Sequence, residues 1–270
     1  MSMSSAGSHG VTQFAKADIA DSFSRAAVSY DAVAELQRSV GTELLRQLPD
    51  DNVGVVLDLG CGTGFFGPQL NRTLQPDHLI SLDLAQGMLQ FARTNRATEN
   101  GSWLCADAEA LPLADSSVDL IFSSLAIQWC ENLPALFSEA ARVLRPGGRF
   151  LFSTLGPDTL NELRSAWSSV DQYQHVNRFI SHSTLSESAG NYFAQVAVAE
   201  QRQVLLYDEV RGLTNELKGI GAHNISHDRQ GGLTGKARIT AFKQAYEKFR
   251  GDDGKLPATY QVFYGELING

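Results

Sequence analysis

The spacing of apolar and polar positions changes character twice along the chain. From Ala17 to Gln47 apolar residues (Phe23, Ala26, Ala27, Tyr30, Val33, then Leu36, Val40, Leu44) recur at mixed three- and four-residue intervals, which predicts helix. Asp21 or Ser22 can cap its start, and the Pro49-Asp50-Asp51-Asn52 cluster ends it. One helix, or two broken near Tyr30-Asp31, satisfies the pattern equally. From Val53 short apolar runs take over. VGVVLDL (53–59), HLISLDL (78–84), WLCAD (103–107), VDLIFSSL (118–125) and RFLFSTL (149–155) predict buried strands. Helical spacing fills the gaps: a short helix ending near Arg72, then 86–97, then 133–144, the last stopped by Pro146-Gly147-Gly148. This alternation predicts an α/β, doubly wound, mostly parallel sheet.

After Leu155 the alternation ends. Residues 158–170 are helical in pattern, and 171–190 are polar and mixed. AQVAVAE (194–200) and QVLLYDE (203–209) suggest an antiparallel pair. Helices over 209–220 and 236–250 and a closing strand over 259–268 follow. The expected organisation is a disordered tail (1–16), a helical cover (17–52), a ligand-binding core (53–155) and an insertion with closing antiparallel strands (156–270), the last three in one domain.

Composition narrows the function. A formal net charge of −8 argues against a nucleic-acid binder. No apolar run approaches the roughly 18 residues of a membrane span. The opening MSMSSAGSHG lacks the basic and apolar regions of a secretory signal. Cys61, Cys105 and Cys130 are odd in number and widely spaced, which predicts a reducing, cytoplasmic setting without disulfides.

The chemistry concentrates in LDLGCGTGFFG (57–67), which holds two overlapping glycine patterns. Gly60, Gly62 and Gly64 form G-x-G-x-G. Gly62, Gly64 and Gly67 form G-x-G-x-x-G, the dinucleotide spacing of a nicotinamide oxidoreductase. The first glycine must sit at the strand end, and the apolar strand ends at Leu59, so the frame starting at Gly60 is preferred. Asp58 then stands beside the turn, suited to an amino-bearing or cationic ligand. Asp83 ends the second strand, where an aspartate accepts from ribose hydroxyls. Asp107-Ala108-Glu109 follows the third, where a carboxylate can take an adenine amino proton.

V-L-D-L-G-C-G-T-G, L-D-L, C-A-D-A-E-A-L-P-L and D-L-I-F-S-S-L-A-I-Q-W together resemble the class I S-adenosylmethionine-dependent methyltransferases. The resemblance implies a seven-stranded sheet ending in antiparallel strands. It places Gly60, Gly62 and Gly64 at the methionine part of the cofactor, Asp83 at the ribose and Asp107-Ala108 at the adenine. Cys61, Leu84, Met88, Glu109 and Ser124 are further cofactor-site candidates. F-S-R-A-A-V-S-Y-D with Leu36-Gln37, S-L-A-I-Q-W-C, F-S-T-L, H-V-N-R-F, L-K-G-I-G-A-H-N and T-Y-Q-V-F-Y-G are similar to the malonyl-acyl carrier protein O-methyltransferases of biotin synthesis, in the same order from about Ala20 to Ile268. Family members vary at the position of Thr63.

That resemblance implies methylation of the free malonyl carboxylate, with S-adenosylhomocysteine as product and a masked charge that lets a pimeloyl chain be built. The partner is an acidic acyl carrier protein bearing malonyl thioester, with malonyl-coenzyme A as a smaller equivalent. A carboxylate is ionised at neutral pH, so no general base is needed, and no catalytic His or Asp is expected. Arg178, then Lys218, are the candidate cations for the second carboxylate oxygen. Tyr30 and Gln37 are candidates for covering the cofactor, and Gln128 and Trp129 for contacting the acceptor. Another small carboxylate or hydroxyl acceptor is the nearest alternative, and a cofactor-binding regulator without activity is a further one. His223 and His227 have metal-helix spacing, but Asn224 follows the first and the segment is loop-like, so no metal is expected. Lys236, Arg238, Lys243, Lys248 and Arg250 read as a solvated helix face; Arg142, Arg145 and Arg149 compete as carrier-docking residues.

Overall fold

The computed structural model describes residues 16–50, 53–221 and 235–270. Two helices, α1 (Lys16–Tyr30) and α2 (Glu35–Leu45), precede the sheet. The alternating unit then runs β1 (Val55–Leu59), α3 (Gly67–Leu74), β2 (His78–Asp83), α4 (Gln86–Arg96), β3 (Gly101–Cys105), β4 (Val118–Ser124), α5 (Leu133–Val143) and β5 (Leu144–Leu155). α6 (Asn161–Ser168), α7 (His182–Gly190), β6 (Gln195–Tyr207), α8 (Val210–Gly219), α9 (Lys236–Tyr246) and β7 (Leu256–Ile268) complete it. The seven strands lie in the order β3-β2-β1-β4-β5-β7-β6. β1 to β5 are parallel, and β7 runs antiparallel between β5 and β6.

Strand alternation explains the two layers of helices. Val56, Leu120, Phe122 and Leu151 face a core shared with α2, α3, α6, α8 and α9. Their neighbours Leu57, Ile121, Phe150 and Phe152 face a core shared with α5 and α7. Each central strand is therefore apolar on both faces, as a covered parallel sheet requires. Full burial of one such Leu or Phe contributes about 1.5–3 kcal/mol.

At the N-terminus the two-helix alternative holds, and four further details depart from the sequence expectation. The N-terminal helical region is two helices, divided by a turn in which Val33 N–H donates to the Tyr30 carbonyl at 3.2 Å. α1 starts at Lys16, so Ser22 is not a cap; it is buried and donates to the Gly221 carbonyl at 3.1 Å. β5 starts at Leu144 and carries Pro146-Gly147-Gly148 inside it, where the register to β4 shifts. The two apolar runs at 194–209 are one 13-residue strand, β6, whose antiparallel partner is β7. Nothing between them favours a turn, because Gln201-Arg202 lacks glycine, proline and asparagine. α7 was hidden in the polar segment: only Leu185 and Ala189 are buried, and Ser181 caps it by accepting from Thr184 N at 3.2 Å. The expected tail lies almost wholly outside the described residues.

Candidate active site at the carboxyl ends of the parallel strands

β1 ends at Leu59, and the chain turns at once. Gly60, Gly62 and Gly64 have φ of +71°, +54° and +73°, whereas Gly67 simply opens α3. A Cβ at Gly60 would lie 2.3 Å from Ala126 Cβ, and one at Gly62 would meet nothing within 4 Å. The first glycine thus permits packing, and the second keeps open space beside a cleft. The amides of Gly60 and Cys61 donate to the Leu82 carbonyl at 2.8 and 2.9 Å, which ties the loop to β2. Asp83, at the end of β2, accepts from Gly62 N at 2.8 Å and Ala85 N at 2.7 Å. Burial raises its pKa, and those backbone donors oppose the rise.

Two connected cavities follow this edge. The first, about 120 Å³, is lined by Gly60, Gly62, Asp83, Leu84, Met88, Asp107, Ala108, Glu109, Ser124 and Trp129, with α1 across it. The second, about 40 Å³, is lined by Tyr30, Gln37, Asp58, Cys61, Gly62 and Ser124 among others. Asp58 is 3% exposed, and its Oδ2 has no hydrogen-bond partner; neither has the buried Oε1 of Gln37. Burial, with the nearby Asp83 charge, pushes the Asp58 carboxyl up to about 7. Two unpartnered oxygens on one small cavity could accept hydrogen bonds from an ammonium group. At the other end, Lys16 pairs with Asp107 at 2.5 Å and Glu109 at 2.8 Å. The carboxylates outweigh the effect of burial and raise the Lys16 pKa. Lys16 is a neighbour that sequence reasoning missed, because nothing in the spacing carries α1 to the end of β3.

A second unforeseen cluster fixes the cover in place. Asp31, after α1, accepts from Thr63 Oγ1 of the glycine loop at 2.7 Å and pairs with Arg96 of α4 at 2.5 Å. Arg96 also donates to the Thr63 carbonyl at 2.7 Å and lies over the Phe65 ring, 5.2 Å from its centroid. Arg38 of α2 donates to the Asp31 carbonyl. The residue before this hub is Tyr30, which lines both cavities. Burial, aided by Asp83 and Asp31, pushes its phenol far up.

A larger cavity of about 510 Å³ adjoins them and shares Phe23, Tyr30, Leu125 and Trp129 with the first. Its walls are chiefly apolar, from α2, α6, α8 and the segments after β4 and β5. Trp129 packs edge-on against Phe23 at 5.2 Å. Gln128 lines the cavity, yet its amide already donates to the Leu125 carbonyl at 2.6 Å and accepts from Thr154 at 3.4 Å, bracing the turn after β4. Lys218 lines this cavity from α8 and is exposed. Arg178 is exposed and does not line it, although Asn177 and Phe179 do. His175, which no sequence argument singled out, lines it too and pairs with Asp171 at 2.8 Å. His223 and His227 lie outside the described residues. Among the described residues no cluster of His, Cys, Asp and Glu is arranged to hold a metal.

A glycine turn between β1 and α3, acids after successive parallel strands and an antiparallel closing strand define a methyltransferase domain, and that family matches residues 57–152. Solved structures agree on the fold. YcgJ of Bacillus subtilis superposes with a TM-score of 0.60 at 19% identity, over 86% of this chain and 98% of that one. Phosphoethanolamine N-methyltransferase 2 of Haemonchus contortus, in complex with S-adenosyl-L-methionine, gives 0.56 at 19%, over 90% and 56%. Among curated relatives, a malonyl-[acyl-carrier protein] O-methyltransferase of Gallionella capsiferriformans is 45% identical over 90% of this chain and 87% of its own length. The biotin biosynthesis bifunctional protein BioHC of Cellvibrio japonicus is 50% identical over 92% of this chain. This chain spans about half of that longer protein, 49% of its length. The chain belongs to the malonyl-[acyl-carrier protein] O-methyltransferase family.

Proposed function

We propose that this chain transfers a methyl group from S-adenosylmethionine to the free carboxylate of malonyl-acyl carrier protein, a step serving biotin synthesis. The observation that carries the reading is the large, mostly apolar cavity that shares Tyr30 and Trp129 with the cleft lined by Gly60, Asp83 and Asp107. The cofactor fits the residues present. Asp58 and Gln37 supply unpartnered oxygens for the methionine ammonium, and Gly62 leaves room beside it. Asp83 keeps lone pairs for the ribose hydroxyls, and Asp107 offers a carboxylate to the adenine amino group in competition with Lys16. Leu84, Met88 and Ala108 supply apolar walls to the nucleoside, with Cys61, Glu109 and Ser124 completing the lining.

When bound, S-adenosylmethionine supplies an electrophilic methyl on a sulfonium. The acceptor is already a carboxylate, so the protein's task is alignment and exclusion of water. Phe23, Tyr30, Leu125 and Trp129 form the shared boundary where the two ligands meet. Lys218 stands at the cavity as an exposed cation, and Arg178 projects from the adjoining loop. Charge there is screened by solvent, which suits recognition of an acidic carrier or the phosphate of its arm. Malonyl-coenzyme A presents the same group and phosphate. The three cysteines are free, in keeping with a cytoplasmic enzyme. Among the described residues no helix is long and apolar enough to cross a membrane. Incubating the protein with S-adenosylmethionine and malonyl-carrier, then weighing the carrier, tests the reading. The mass is expected to rise by one methylene; an unchanged mass would overturn it.

A further inference from the structure

The acceptor cavity contains a histidine–aspartate pair that the reaction as described leaves unused. His175 sits on its wall with a side chain 23% exposed, and Asp171 behind it is 10% exposed. Asp171 accepts from His175 Nε2 at 2.8 Å and from Tyr173 N at 2.9 Å, and it pairs with Arg238 of α9. Burial pushes the Asp171 carboxyl up, but the bonds from Arg238 and His175 outweigh that and hold it below the usual carboxylate range. An ionised carboxylate only accepts, so Nε2 carries the proton and Nδ1 is the ring's remaining polar atom. The ring is also fixed by stacking. Its centroid lies 3.8 Å from that of Trp167 with 10° between the planes, and Trp167 stacks in turn on Phe242 at 4.2 Å.

We propose that His175, braced by Asp171 and Trp167, is the anion-binding group of the acceptor cavity, donating from Nδ1 to the acceptor's carboxylate. This rests on the methyl-transfer reading above and deepens it. The other groups on the cavity are weaker candidates. Lys218 is exposed, Glu216 carries the wrong charge and accepts from Tyr207, and Tyr30 and Tyr260 are neutral phenols. Arg238 approaches His175 only through Asp171. A histidine suits this task better than a permanently charged arginine. A bidentate guanidinium would hold both carboxylate oxygens, whereas one N–H donor leaves the second oxygen free to attack. His175 would also discriminate against acyl groups without a carboxylate, because none of them would return a charge to the ring.

The test is the pH dependence of kcat/KM for malonyl-carrier in the wild-type enzyme, His175→Gln and Asp171→Asn, alongside the Kd for S-adenosylmethionine. The wild-type value is expected to fall as pH rises through the histidine range. His175→Gln is expected to lose that slope and about 10- to 100-fold of kcat/KM, while its Kd for S-adenosylmethionine stays within about twofold of wild type. Asp171→Asn should raise the KM for malonyl-carrier with the same cofactor Kd. A His175→Gln enzyme that keeps the slope and the KM would overturn the proposal. So would a wild-type rate that falls toward acid and flattens in His175→Gln, which marks a general base for a hydroxyl acceptor. Absence of carrier methylation by the wild-type enzyme, with S-adenosylmethionine still bound, would instead remove the parent reading and this assignment with it.

Discussion

Burial lifts Asp58 to about 7, so in the proposed role its carboxyl would couple binding of an ammonium group to loss of a proton. A cation favours the ionised form, so ligand binding below that pH must expel a proton. Affinity for S-adenosylmethionine should therefore weaken as pH falls through 7, by up to about tenfold per unit. Calorimetry in buffers of different ionisation enthalpy would count the released proton. Asp58→Asn should lose both the affinity and its pH dependence; a Kd that ignores pH in the wild-type protein would rule out this role. The glycine turn separates fold from function in a similar way. Gly60→Ala puts a methyl 2.3 Å from Ala126 Cβ and should destabilise the fold, read as a fall in Tm. Gly62→Ala meets only a left-handed backbone cost of about 1–2 kcal/mol, so the protein should fold yet bind cofactor poorly. Equal effects of the two substitutions on Tm and on Kd would refute that division. The Gly60 frame was legible in the residues because Leu59 is the last apolar position of a strand, and a glycine must begin the turn there. His175 was not legible. Its value depends on Asp171 and Trp167 meeting it and on Arg238 and Phe242 bracing those two, and both braces are remote in sequence.

Among the elements, Asp31 is one of the polar ties that hold α1 and α2 over the glycine-turn edge of the sheet. Asp31 gathers Thr63, Arg96 and Arg38 from the glycine loop, α4 and α2. Charge-assisted bonds of this kind contribute about 1.5–3 kcal/mol each where they are shielded. Asp31→Ala should leave the sheet folded while releasing the cover, so that dissociation of S-adenosylmethionine speeds up about tenfold or more. Stopped-flow displacement measures this, and an unchanged off-rate would show that the cover is held without the Asp31 side chain. The strands and helices from β1 to α5 were readable because their periodicity is decided by burial on both faces of one sheet. α7 and β6 were not, because their exposed sides follow no apolar rhythm. α7 rests on Leu185 and Ala189, and β6 is an edge strand with Val204 and Leu206 facing solvent.

At the scale of the whole molecule, the direction of the sheet sorts the cations. Arg142, Arg145 and Arg149 cluster where α5 passes into the start of β5, at the edge opposite the glycine turn. They are paired with Glu139 and Asp115, Asp119, and Glu266. Arg145→Gln is therefore expected to leave the KM for malonyl-carrier unchanged within about twofold; a large rise would move the docking surface to that edge. Lys218 and Arg178, by contrast, flank the cavity proposed to admit the carrier's arm. The sequence singled out both as candidates, in two of the stretches that resemble the family. It did not show that one lines the cavity and the other only adjoins it, a distinction set by how α8 and the loop after α6 pack.

The most direct measurement supplies methyl-labelled S-adenosylmethionine and compares malonyl-carrier with acetyl-carrier, which lacks only the free carboxylate. The account predicts label on the malonyl-carrier, released as methanol by mild base as from an ester, and none on the acetyl-carrier. Equal labelling of both, or of neither, would contradict it.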